Sequence, residues 1–86
     1  MIKNYLPLVH GIIEAFLFLE TSESSEVNPD SAVRCMENIA ASLLALEPID
    51  QLALRSNFEQ IAKDSQDQSY KEFVQKLPDM IGLSTA

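Results

Sequence analysis

Between Lys3 and Arg34 the sequence has no lysine or arginine, yet Glu14, Glu20, Glu23, Glu26 and Asp30 fall inside that interval. Carboxylates gathered without counter-charge repel one another and attract a cationic partner over a screening length of roughly 8–10 Å in ordinary buffers. Bases are scarce throughout: 6 Lys and Arg against 13 Asp and Glu leave a net charge of −7. That balance repels a phosphate backbone and an anionic bilayer, so neither nucleic acid nor membrane is an expected partner. Cysteine is nearly absent. With Cys35 alone the chain cannot close a disulfide on itself or build a thiolate zinc site. A reducing, cytoplasmic setting is expected.

Long apolar runs are missing too. Met1 to Leu19 has the look of a signal peptide, with Lys3 ahead of an apolar stretch, but His10 and Glu14 interrupt it. No small-x-small cleavage site follows Leu19, so the segment reads as mature sequence, and the run falls short of the ~18–20 residues that span a bilayer. Catalytic constellations are equally scarce. One histidine and one cysteine sit far apart in sequence, and no Gly-rich phosphate loop, nucleophile elbow or paired-histidine motif occurs. The expectation is a protein that is not an enzyme and takes no cofactor or metal.

What is present suits one small folded domain. The 86 residues are 47% apolar and 22% charged, outside the disordered range but with a thin core. Apolar residues recur at helical rather than alternating steps, and the 2 glycines and 4 prolines stand where helices start, stop or bend. The expected fold is all-α: a single domain over 1–86, a compact four-helix bundle or irregular helical array with mostly antiparallel neighbours. Helices are expected at about 3–20, 29–46, 48–63 and 68–77, interrupted at Pro78, with a short turn at 79–82.

The first helix is apolar almost all round. Only Lys3, His10, Glu14 and Thr21 mark a polar line, so other helices or a second subunit must cover it. Val9, Ile13, Phe16 and Leu17 are the candidate contact in a homodimer. The second helix has a well-marked start in Asn28, Pro29 and Asp30, an Asp30–Arg34 pair at i,i+4, and an inward face of Val33, Met36, Ile39, Ala40, Leu43 and Leu44. In the third, Ile49, Leu52, Leu54, Phe58, Ile61 and Ala62 face inward; in the fourth, Tyr70, Phe73, Val74 and Leu77 do.

Three constellations have ordinary explanations. His10 and Glu14 share a helix face, but two ligands do not make a metal site, and they read as the polar line. Cys35, beside Val33, Met36 and Ile39, reads as a small apolar residue at the edge of the core. Lys63 to Ser69 has the spaced acids of a calcium loop without its glycine, and reads as a turn with Asp67 or Ser69 as a helix cap. The acidic segment is different. Asp30 has a local role at a helix start, whereas Glu20, Glu23 and Glu26 lie in or beside the loop Thr21 to Glu26. Acids at three- and four-residue steps beside an apolar helix match the make-up of a steered protein interface, so Glu20, Glu23, Glu26 and Asp30 are the candidate partner-binding residues.

In size, helical character, a −7 charge and an acidic Glu20–Asp30 region next to a helix, the chain resembles the small acidic immunity proteins with which bacteria neutralise secreted toxins. The Tyr-Tyr-Pro segment of the colicin-nuclease group has no counterpart: Tyr5 is separated from Pro7 by Leu6, and Tyr70 stands alone. The resemblance implies inhibition by occlusion, the acidic surface docking on a basic cleft of a toxin with no chemistry by this chain. A structural homodimer, or a small helical adaptor using the first helix, is the alternative.

Overall fold

The computed structural model describes residues 4–85. It is all-α, with α1 over Leu6–Thr21, α2 over Pro29–Leu44, α3 over Pro48–Asp64 and α4 over Gln68–Ile81. Lys3, the earlier of the two expected starts for the first helix, lies outside the described residues.

The helix ends follow from local chemistry. Pro7, Pro29 and Pro48 occupy first-turn positions, where a missing N–H leaves no bond unmade. The Asn28 side chain accepts from the amides of Asp30 and Ser31 at 2.9 and 3.1 Å, and the Asp67 carboxylate accepts from Tyr70 at 3.1 Å. At the far end of α4, Gly82 adopts φ +93°, and the amides of Gly82 and Leu83 both donate to the Pro78 carbonyl at 3.0 Å. This is the left-handed glycine stop with a six-to-one bond, and it buries Leu83 behind it. α4 thus runs through Pro78 to Ile81, where an interruption was expected. Pro78 lies in the last turn, its ring is buried in the interior, and its carbonyl is the one the stop uses.

Val9, Ile13 and Phe16 from α1, Leu54, Phe58 and Ile61 from α3, and Val74, Leu77 and Ile81 from α4 form the core. Each set steps by three or four residues, one stripe per helix. α3 and α4 make the most extensive helix pair, α1 lies against α2 and α3, and α2 against α1 and α4. α2 is the lightest contributor: only Ala32 is fully buried, with Met36, Ile39, Ala40 and Leu43 half-buried against the core.

Met36, Ile39, Ala40 and Leu43 line that stripe as expected, and the differences lie at its edges, where Ala32 is buried instead of Val33. Val33 and Leu44, taken as inward, are 51% and 41% exposed. Cys35 is likewise exposed rather than at the core edge, because it stands one position off the Ala32–Met36–Ile39 line. On α3, Ile49 is exposed and the polar Gln51 is buried in its place. Gln51 is satisfied on both sides. Its amide nitrogen donates to the carbonyls of Leu44 and Leu46 at 3.2 and 3.0 Å, and its oxygen accepts from the Ser84 amide at 3.0 Å. One turn on, the Arg55 guanidinium donates to the carbonyls of Leu83 and Ser84 and pairs with Asp79 at 2.9 Å. Two polar residues at i,i+4 on α3 therefore hold the segment after α4.

Candidate functional site

α1 begins at one end of the molecule, where the Tyr5 hydroxyl donates to Asp50 at 3.4 Å. It delivers Glu20, in its last turn, to the other end, where Thr21 and Ser22 hydroxyls donate to the carbonyls of Leu17 and Phe18 and close the helix. The connection to α2 is a small structure of its own. The Glu23 carbonyl accepts from the amides of Glu26 and Val27 at 2.8 and 3.0 Å, while the Glu26 carboxylate accepts from the Glu23 amide at 3.1 Å. Glu26 therefore has a local task that its place in the sequence does not reveal.

The structure brings Glu20, Glu23, Glu26 and Asp30 to this one connection, all exposed. Among the described residues, the recorded ion pair is Arg55–Asp79, and none of the four carboxylates has a lysine or arginine partner. The expected Asp30–Arg34 pair is not formed. Asp30 instead contributes its charge to the positive end of α2. Two large apolar side chains flank the connection in solvent, Phe18 near the end of α1 and Val33 in the second turn of α2, at 57% and 51% exposure. Val33 was expected to face inward, and Phe18 was not singled out from the sequence. Phe18 falls on the outer stripe Leu8, Gly11, Glu14, Phe18, a three- and four-residue spacing readable only once the buried stripe is known.

The homodimer contact is corrected here. Val9, Ile13 and Phe16 are at most 3% exposed, inside the chain's own core, and Leu17 is half-buried. α2 and α3 cover the face of α1 that a second subunit was expected to cover. His10 and Glu14 are both exposed and make no hydrogen bond to each other; Glu14 instead faces α4, where burial first and the Glu14 charge second raise the Tyr70 phenol above its ordinary value. Among the described residues no three metal-ligating side chains converge.

Depressions lie elsewhere on the described surface. One, of about 500 Å3, lies between α3 and α4 with Arg55, Glu59, Lys63 and Lys71 around Val74 and Pro78. It gathers cations, although Arg55 is already engaged by Asp79 and the carbonyls of Leu83 and Ser84. No hydroxyl, thiol or imidazole lines it. Another, of about 390 Å3, is a shallow trough along α2 beside Arg34 and Cys35. Among the described residues no helix is long and apolar enough to cross a membrane. In comparisons with known proteins, no family model, no curated protein and no solved structure matches the chain.

Proposed function

We propose that this chain is a non-catalytic, acidic protein-binding module that inhibits a partner by occluding a basic cleft, in the manner of toxin-immunity proteins. One observation carries the reading: four exposed carboxylates stand on or beside one short connection, without a lysine or arginine partner among the described residues, flanked by exposed Phe18 and Val33. Charge of one sign speeds and orients encounter, and one or two apolar anchors slow dissociation. Glu20 and Glu23 carry most of the steering, since Glu26 is partly committed to its own turn. The exposed thiol of Cys35 suits a cytoplasmic site of action, where it stays reduced.

The test is affinity capture from the source organism at low and high salt, with the Glu23→Lys, Glu26→Lys double variant alongside. A basic protein retained by the native chain, released by salt and not retained by the variant is the expected result. Recovery of no basic protein, or retention indifferent to charge reversal, would sink the proposal. Circular dichroism of the variant shows whether it keeps its helices.

A further inference from the structure

The opposite end of the molecule has a different chemistry. There the last turn of α2, the link 45–47, the first turn of α3 and the last turn of α4 converge, joined by the Gln51 hydrogen bonds to Leu44, Leu46 and Ser84. The Leu44 side chain lies 3.8 Å from where a Cβ on Gly82 would stand, so α2 and the end of α4 are in direct contact. On these joined segments four large apolar side chains are left in solvent: Ile49 at 75% exposure, Met80 at 54%, Leu44 at 41% and Leu46 at 36%. One exposed apolar side chain needs no explanation, but four on segments tied together are a concentration of the kind that marks interaction surfaces. Local structure does not demand them. Ile49, in the first turn after Pro48, would fit as well as a polar residue. Carboxylates stand among them: exposed Glu47 between Leu46 and Ile49, and, next to Met80, Asp79, whose Oδ1 is paired with Arg55 while its side chain stays 78% exposed.

We propose that this end is a docking surface for a cationic amphipathic helix of a partner protein. Its apolar face would seat on Leu44, Leu46, Ile49 and Met80, and its flanking lysines or arginines would meet Glu47 and Asp79. Charge selects this occupant over others. A second copy of the chain would bring together two proteins each of net charge −7 and offer no excess of cations to Glu47. An anionic bilayer meets the same repulsion. A cationic helix satisfies the apolar patch and the acids together, and the flexible thioether of Met80 adapts to the shape of the incoming side chains. This surface is separate from the acidic connection and does not depend on it.

The experiment titrates the isotope-labelled full chain with a synthetic leucine–lysine amphipathic helix and, separately, with a scrambled peptide of equal charge. Moderate salt screens long-range attraction. Amide shifts confined to residues 44–50 and 79–84, with the scramble binding more weakly, are expected. The neutral Ile49→Gln, Met80→Gln double variant should bind about tenfold more weakly, a loss of the size typical of removing an apolar anchor. Both positions are exposed, and circular dichroism checks that the fold is retained. The Glu23→Lys, Glu26→Lys variant should keep the same shift pattern, which separates this site from the acidic connection. Shifts at residues 20–30 instead, equal binding of the scramble, or no binding would overturn the proposal. So would a native dimer that the Ile49→Gln, Met80→Gln variant dissociates.

Discussion

Gln51 is the buried polar side chain of this core. A buried amide satisfied at both ends ties the end of α2 to α3 and to the segment after α4. Gln51→Ala strands two carbonyls and one amide, and should cost about 1–3 kcal/mol in urea denaturation with an unchanged m-value. Tyr70 offers a second residue-scale test. Below about pH 10 its phenol is neutral in the folded and unfolded chain alike and contributes no pH dependence. Above that, the unfolded chain loses the proton first, because burial and then Glu14 raise the folded value. Stability therefore falls as pH rises from about 10 through the raised folded value. Tyr70→Phe should behave like the native chain at neutral pH and lose less stability under alkali, as read by denaturant midpoints across the pH range.

At the scale of the helix, two glycines should respond to the same substitution with opposite sign. Gly11 sits inside α1 with nothing within 4 Å of an added Cβ, so Gly11→Ala should stabilise by up to about 1 kcal/mol. Gly82 holds a left-handed conformation at the end of α4, and Gly82→Ala should destabilise by roughly 1 kcal/mol, both read by thermal unfolding. The helix boundaries were largely legible in the sequence, since Asn28-Pro29, Pro48, Asp67 and Gly82 each act through chemistry confined to a few residues. The edges of the buried stripes were not. Ala32 and Val33 both extend a helical apolar stripe, and the fit against α1 and α4 chose the smaller. The same ambiguity misplaced Cys35 and Ile49, and no apolar period can reveal a buried Gln51. For the candidate site, four adjoining acids were legible because charge stays in water; Phe18 and the task of Glu26 depend on rotation and on loop geometry.

The whole molecule measures 45 × 31 × 19 Å, a flattened shape in which one end is acidic and the other carries the apolar patch. With Val9, Ile13 and Phe16 occupied internally and a charge of −7 on each copy, the isolated chain should be a monomer by light scattering at micromolar concentration. A dimer there would point to the exposed Leu44, Leu46, Ile49 and Met80 as a self-contact. Tyr5 bonds to Asp50 and Ser84 to Gln51, neighbouring residues of α3. Tyr5 and Ser84 are thus held near one another, so a flexible linker can join the chain there and the polypeptide can be reopened elsewhere. A circular permutant cut between Ser24 and Ser25 should retain its helices by circular dichroism while freeing the acidic connection from its own turn.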